Sequence, residues 1–174
     1  MTVQQVKEMI RNIPDFPQKG IQFKDITTVL KHPQCLRWMR DEVVKLYRDK
    51  GITQVVGLES RGFIIGPAVA MELGAGFVPE RKPGKLPAEV ISVSYNKEYG
   101  TDTVQLHKDA LSPDDVVLLH DDLLATGGTM KAAIELVRKC GVKKVYVNCL
   151  IELDFLNGRK ELGDDVEVTT LIHY

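Results

Sequence analysis

A segment that passes from an apolar run through a glycine-rich turn into a helix constrains the fold of this chain most strongly. Residues 116–119 read Val-Val-Leu-Leu, which is typical of a strand buried on both faces. The adjacent carboxylates Asp121 and Asp122 stand at the C-terminal end of this run, and the pattern over 131–139 is that of an amphipathic helix. A buried strand leading directly into a helix predicts a parallel sheet covered by helices.

The turn between this strand and this helix has the chemistry of an anion site. Residues 125–129 read Ala-Thr-Gly-Gly-Thr. Glycines let backbone N–H groups approach a ligand closely, and a helix N-terminus favours negative charge. With two acids beside it, the segment suits a phosphorylated ribose. The alternative is an ordinary strand, turn and helix with a solvated acidic turn, although no packing requirement calls for this combination. A Walker loop is excluded, because no Gly-Lys-Ser/Thr follows.

Size and composition indicate a globular domain without a membrane or nucleic-acid role. The chain has 174 residues, of which 44% are hydrophobic and 27% charged, and its formal net charge is −1. This length suits one domain, 1–174, and such a charge gives no basic field for nucleic acid or anionic membrane. No apolar stretch could span a bilayer, and the N-terminus lacks a signal-peptide pattern. The three cysteines are widely spaced and form no Cys-x-x-Cys, so we expect reduced thiols and a cytoplasmic location.

Strands alternating with helices predict an α/β fold with a doubly wound, mainly parallel sheet. The predicted strands cover 54–58, 77–80, 89–95, 103–107, 116–119, 143–151 and 166–172, of which 89–95 and 103–107 pair as a hairpin. The predicted helices cover 3–11, a segment opened by His32 and Pro33 and closed by Gly51, then 62–74, 131–139 and 155–162. Such sheets bind ligands beyond the C-terminal ends of their strands. The loops after Leu58, Glu80 and Leu119 lie there.

Two of these loops offer positive charge, and a third segment offers a carboxylate. Residues 59–63, Glu-Ser-Arg-Gly-Phe, join a strand to a helix and form a second candidate anion site. Residues 81–87 concentrate Arg81, Lys82 and Lys85 on a proline-stiffened loop. A plain N-cap and a solvated basic loop are the alternatives. Glu98 falls at the predicted hairpin tip, where a simple polar turn is the alternative to a proton acceptor. Around Phe23, periodicity alone favours core positions for Phe23 and Ile26.

Residues 121–129 resemble the phosphoribosyl-pyrophosphate (PRPP) motif of type I phosphoribosyltransferases. Further segments, in the same order and with similar spacing, resemble the adenine phosphoribosyltransferases of that family. They are residues 14–17, Gly20, 23–26, 59–63, 81–82, 84–87 and 98–100. The resemblance covers essentially the whole chain and is much more specific than the PRPP motif alone.

The resemblance implies a fold, an activity and partners. It implies a five-stranded parallel core, a hood (residues 1–30) over the base, a hairpin lid (residues 89–107) and a homodimer. It implies transfer of the 5-phosphoribosyl group from PRPP to N9 of adenine, giving AMP and pyrophosphate with Mg²⁺, with inversion at C1 through an oxocarbenium-like transition state. It also implies a cis peptide between Glu59 and Ser60.

The resemblance also implies roles for individual residues. Glu98 would handle the proton, with Tyr99 beside it. The residues expected at the ribose and its 5′-phosphate are Asp121, Asp122, Leu123, Leu124, Ala125, Thr126, Gly127, Gly128 and Thr129. Those expected at pyrophosphate are Ser60, Arg61, Lys82 and Lys85, and those expected at adenine are Gln22, Phe23, Lys24 and Arg61. Magnesium would bind mainly through PRPP and water, with Asp121 and Asp122 in its shell.

Two positions, His120 and Glu80, depart from the family pattern, and other functions stay open. His120 replaces a small or β-branched apolar residue and is expected to point into a polar pocket away from the ligand. Glu80 could compete with pyrophosphate for Arg81, and Lys24 stands where arginine is also common. Transfer to a 6-oxopurine is the nearest alternative, and a PRPP-sensing regulator that binds nucleic acid is the other. The chain shows no added DNA-binding segment or basic face, which argues against the regulator.

Overall fold

A parallel sheet of five strands organises the chain in a computed structural model that describes residues 1–96 and 100–174. In chain order the elements are α1 (Val3–Met9), β1 (Arg11–Pro14), β2 (Gln22–Asp25), α2 (Thr27–Leu30), α3 (Pro33–Tyr47), β3 (Gln54–Leu58), α4 (Gly62–Leu73), β4 (Gly76–Glu80), β5 (Val90–Asn96), β6 (Thr101–His107), β7 (Val116–Leu124), α5 (Gly128–Lys139), β8 (Lys144–Glu152), two 3-10 turns (Asp154–Leu156 and Gly158–Leu162) and β9 (Glu167–His173).

The sheet has the strand order β4-β3-β7-β8-β9, and every neighbouring pair is parallel. Helix α5 and the β5–β6 hairpin pack on one face, whereas α1, α3 and α4 pack on the other. The strands β7 and β8 are therefore covered on both sides, which explains why they read as apolar runs. The prediction of a doubly wound parallel sheet is confirmed.

Most of the predicted elements are confirmed, and the differences lie at their ends. Strand β7 extends through Leu124, so Asp121 and Asp122 lie within it rather than after it. Helix α5 begins at Gly128. Helix α3 ends at Tyr47, so Gly51, which has φ +68°, closes a later turn rather than the helix.

Two predicted helices are wrong in extent or type. The first ends at Met9, because the chain from Arg11 enters strand β1, which pairs antiparallel with β2. The predicted helix over 155–162 is instead two 3-10 turns separated by Asn157, whose φ of 52° cannot continue a helix.

A small β1–β2 sheet stands apart from the main sheet. Within it, Arg11 of β1 forms an ion pair with the buried Asp25 of β2. The Tyr174 ring lies beneath two amines, that of Lys7 at 4.4 Å and that of Lys24 at 4.1 Å from the ring centroid. The small sheet therefore rests on the chain segment that follows β9.

Two further features complete the fold. No helix in the described ranges combines the length and apolar character needed to cross a bilayer. All three cysteines are free thiols, with Cys35 and Cys149 buried and Cys140 partly buried.

Candidate active site

A cavity of about 290 Å³ opens at the C-terminal ends of the central strands. Its walls come from the loops after β3 and β4, from the end of β7 and from the start of α5. The lining residues are Glu59, Arg61, Lys82, Asp121, Leu123, Leu124, Ala125, Thr126, Gly127, Gly128, Thr129 and Met130. The structure thus brings most of the predicted ribose-phosphate residues together with Arg61 and Lys82.

The turn from Ala125 to Thr129, here called the phosphate loop, owes its shape to Gly127. This glycine precedes helix α5 with φ +87°, a conformation that costs other residues free energy. A Cβ at Gly127 would lie under 3.0 Å from the backbone oxygen of Gly158. The backbones of Gly127 and Gly158 therefore meet with no room for a side chain between them. An anion at this point also benefits from the helix dipole.

Asp121 and Asp122 place two acids beside the phosphate loop. Burial, and then the neighbouring charge of Asp122, raise the pKa of Asp121. Burial also raises the pKa of Asp122, while Arg61 opposes this effect. Arg61 Nη1 lies 3.1 Å from Asp122 Oδ2, although this oxygen accepts no hydrogen bond within the described chain. Asp121 faces the cavity, whereas Asp122 is buried beside it and is not part of the cavity lining.

The loop after β3 contains the expected cis peptide between Glu59 and Ser60. Ser60 is exposed and is not part of the cavity lining. The guanidinium carbon of Arg61 lies 5.4 Å from the centroid of the Phe23 ring. Arg61 therefore links the acid pair with the small β1–β2 sheet.

Glu59 binds the basic loop that follows β4 through hydrogen bonds. Its carboxylate accepts hydrogen bonds from Arg81 Nε at 3.0 Å, from the Lys82 backbone N–H at 2.7 Å and from Lys85 Nζ at 2.9 Å. Burial opposes ionisation of Glu59, but these donors outweigh it and lower its pKa to about 2. The sequence reasoning missed this role, although an acid at the end of a buried strand, opposite a basic loop, was the available signal.

Lys82 has a second acidic partner on the hairpin. Its amine donates to Asp102 Oδ2 at 2.6 Å. Burial disfavours the charged amine, but Asp102 outweighs it and raises the pKa of Lys82. The predicted proton-handling residues Glu98 and Tyr99 lie outside the described residues.

Three of the predicted adenine residues, Gln22, Phe23 and Lys24, lie on β2 outside the cavity lining, whereas Arg61 is part of the lining. Gln22 is exposed and its side chain accepts a hydrogen bond from Asn12. Phe23 is only half-buried and makes an edge contact with Phe16, so the core position that periodicity favours is wrong for it. Ile26, in contrast, is buried as expected. The Lys24 amine donates to Asn12 Oδ1 at 3.0 Å.

His120 and Glu80, the two residues that depart from the family pattern, are both buried. His120 Nδ1 lies 3.0 Å from Asn148 Oδ1, and Asn148 Nδ2 donates to Thr169 Oγ1 at 2.9 Å. Burial lowers the pKa of His120 to about 4. Burial likewise raises the pKa of Glu80 to about 8. The expected contest between Glu80 and pyrophosphate for Arg81 is not supported, because Arg81 pairs with Glu59 instead.

A domain match identifies the class of this chain, and its similarity to known proteins then identifies the family. Residues 25–172 match the phosphoribosyl transferase domain. The chain is 63% identical over 172 residues to the adenine phosphoribosyltransferase of Bacteroides thetaiotaomicron, covering 99% of this chain and 98% of that protein.

Solved structures agree with this relative. The adenine phosphoribosyltransferase of Thermoanaerobacter pseudethanolicus superimposes with a TM-score of 0.95 at 46% identity, covering 99% of this chain and 100% of that one. The Giardia lamblia enzyme, complexed with 9-deazaadenine, gives 0.95 at 48% identity, covering 100% and 98%. The chain belongs to the adenine phosphoribosyltransferase family.

Proposed function

We propose that this protein transfers the 5-phosphoribosyl group of PRPP to N9 of adenine and releases AMP and pyrophosphate. The observation that carries the proposal is the meeting of the phosphate loop, Asp121 and Lys82 around one cavity, with Asp122 buried next to Asp121. Amides, a carboxylate and a cationic side chain are the kinds of group that suit a ribose with phosphate groups at both ends. The complex of the Giardia lamblia relative with 9-deazaadenine supports the choice of base.

The two ends of PRPP would be held by different parts of the site. The amides and hydroxyls of Thr126, Gly127, Gly128 and Thr129, with Ala125, would hold the 5′-phosphate, and Leu123 and Leu124 would line its approach. Asp121 and Asp122 would accept hydrogen bonds from the ribose hydroxyls. Ser60, Arg61, Lys82 and Lys85 would bind pyrophosphate, since charge-assisted hydrogen bonds to phosphate are strong.

Transfer breaks one bond and forms one. The bond from C1 to the pyrophosphate oxygen breaks, and the electron pair leaves with pyrophosphate, whose charge the cationic residues stabilise. N9 of adenine then bonds to C1 from the opposite face, which inverts C1 through an oxocarbenium-like transition state. Glu98 would take the proton that adenine loses, with Tyr99 beside it on the lid. Exclusion of water by the lid would protect C1 from hydrolysis.

The residues present suit magnesium as the cation. Carboxylate oxygens of Asp121 and Asp122 are hard donors, and Asp122 Oδ2 is buried without a hydrogen bond among the described residues. The one group of three clustered metal-type ligands in the described ranges is Glu152, Asp154 and His173, where Arg159 already pairs with Glu152. Magnesium would therefore be held mainly by PRPP and water, where it would neutralise charge on the diphosphate.

The small β1–β2 sheet would supply base recognition. Backbone groups at Gln22 and Lys24 would read the edge of adenine, with Phe23 and Arg61 beside its ring. A backbone acceptor toward a 6-amino group would favour adenine, whereas a donor would favour a 6-oxopurine. We further propose one domain, 1–174, with its hood over 1–30 and its lid over 89–107, a homodimer and a cytoplasmic location.

The test is AMP formation from adenine and PRPP with magnesium, beside hypoxanthine, guanine and no-base controls. We expect AMP with adenine and no nucleotide with the other bases. Product with hypoxanthine or guanine in preference to adenine would overturn the choice of base. Saturable PRPP binding without product from any base would favour the PRPP-sensing regulator instead.

A further inference from the structure

Tyr95 lies where the hairpin meets the phosphate loop. Its hydroxyl oxygen is 2.9 Å from Thr129 Oγ1 and donates to Asp102 Oδ2 at 3.3 Å. Its ring packs against the first turn of α5, since a Cβ at Gly128 would lie 3.7 Å from Tyr95 Cδ2. One side chain of strand β5 therefore contacts the N-terminus of α5 directly.

Asp102 extends this contact to the other end of the cavity. Its Oδ2 atom accepts both the Tyr95 hydroxyl and the Lys82 amine. The Lys82 amine also lies 5.7 Å from the centroid of the Tyr95 ring. A continuous series of polar contacts thus runs from Thr129 through Tyr95 and Asp102 to Lys82. It joins the proposed 5′-phosphate site to the proposed pyrophosphate site.

The donor and acceptor roles in these hydrogen bonds indicate a specific role for Tyr95. A carboxylate only accepts, so the Tyr95 hydroxyl donates to Asp102 and its oxygen can accept from Thr129. A phosphate also only accepts, so a bound phosphate would take the Thr129 proton. The Thr129 oxygen would then be free to accept from Tyr95. Tyr95 can therefore hold Thr129 Oγ1 in one place in both states.

We propose that Tyr95 is a positioning residue for PRPP, which holds Thr129 Oγ1 in place directly. This inference rests on the proposed function, because Thr129 must be a residue that meets PRPP. It assigns no chemical step to Tyr95. Its effect is expected on PRPP and AMP, which carry the 5′-phosphate, and not on adenine.

The experiment compares Tyr95→Phe with Ser94→Ala. The Phe variant keeps the ring against Gly128 and removes only the hydroxyl. Ser94 is the adjacent, exposed residue, and its hydroxyl contacts Thr103 at 2.9 Å on the other face of the hairpin. We expect Tyr95→Phe to raise KM for PRPP and Kd for AMP roughly three- to tenfold, the weight of one hydrogen bond. KM for adenine stays unchanged, and Ser94→Ala matches the parent in all three constants.

A double variant separates positioning from general loosening of the hairpin. If Tyr95 acts through Thr129, adding Tyr95→Phe to Thr129→Val weakens AMP binding, measured by calorimetry, less than Tyr95→Phe does alone. Additive losses, or equal rises in KM for PRPP and adenine, would overturn the proposal. So would a Tyr95→Phe variant that matches Ser94→Ala. Failure of the proposed function is a different result, since the parent protein would then form no AMP.

Discussion

Replacement of Gly127 by alanine tests whether the backbone contact with Gly158 shapes the phosphate loop. The left-handed φ of +87° costs a residue with a Cβ about 1–2 kcal/mol. The overlap with the Gly158 backbone adds about 1–3 kcal/mol, the usual range for overpacking. We therefore expect Gly127→Ala to lower the free energy of unfolding by roughly 2–5 kcal/mol.

Gly51 provides the matched control for this substitution. It also has a positive φ, of +68°, but a Cβ there would meet nothing within 4 Å. Gly51→Ala should therefore lose only the conformational part, about 1–2 kcal/mol. The unfolding free energies are measured by urea denaturation of both variants and the parent protein.

Kinetics distinguish a distorted loop from a loss of stability alone. If the loop moves to relieve the overlap, amides at the start of α5 lose the hydrogen bonds to phosphate that the proposed function assigns to them. Bonds to charged groups contribute about 1.5–3 kcal/mol each, so KM for PRPP should rise by roughly tenfold or more. Gly51→Ala should leave that KM unchanged. Equal unfolding free energies for the two variants, with equal KM values, would refute the reasoning.

Three further predictions follow from buried or clustered charges. Glu59→Gln should raise KM for PRPP about tenfold, because it releases the basic loop. The control Glu89→Gln, which breaks an exposed ion pair with Lys108, should leave this KM unchanged. A lower KM for Glu59→Gln would mean that Glu59 mainly competes with pyrophosphate for the basic residues. The pKa of Glu80 is raised to about 8, because the buried carboxyl group favours its protonated form. The stability that this protonated form contributes is fully present below about pH 4.5 and is lost as the pH rises through 8. Glu80→Gln should therefore stabilise the protein at about pH 8.5 and change its stability little at about pH 5. Urea unfolding that shows the same effect of the substitution at both pH values would contradict this prediction. The pKa of His120 is lowered to about 4, so the protein should lose stability as the pH falls from about 6.5 to 4. The loss of unfolding free energy should be on the order of 3 kcal/mol. If a His120→Val, Asn148→Val double variant shows the same pH dependence of stability as the parent, His120 is not its cause.

The predictable parts of the fold are those whose signals are local. Strand β3 matches its predicted bounds, because a buried run is bordered by polar and turn residues on both sides. The phosphate loop was also predictable, since glycines, hydroxyls and acids lie together within residues 121–129. The long apolar runs required both faces of the sheet to be covered, and this fixed the architecture.

The parts that escaped prediction depend on partners distant in the chain. Strand β1 has four residues and includes Pro14, and it exists because β2 pairs with it. The break at Asn157 accompanies the approach of Gly158 to the phosphate loop. Likewise, the contact of Tyr95 with Thr129 joins residues of two separate elements. No local pattern specifies which of many polar residues will meet across such separations.

The β1–β2 sheet is separate from the main sheet, so the proposed function would place base recognition and sugar-phosphate recognition largely on different units. The proposed PRPP site lies at the ends of the parallel strands, around the cavity beside β7 and α5. The proposed adenine site lies mainly on the small two-stranded sheet, whose Lys24 contacts the Tyr174 ring. On the proposed function, variation within residues 11–25 would therefore change the accepted nucleobase while the sugar-phosphate chemistry is retained. Engineering of new nucleotide products from unnatural bases should begin in that unit.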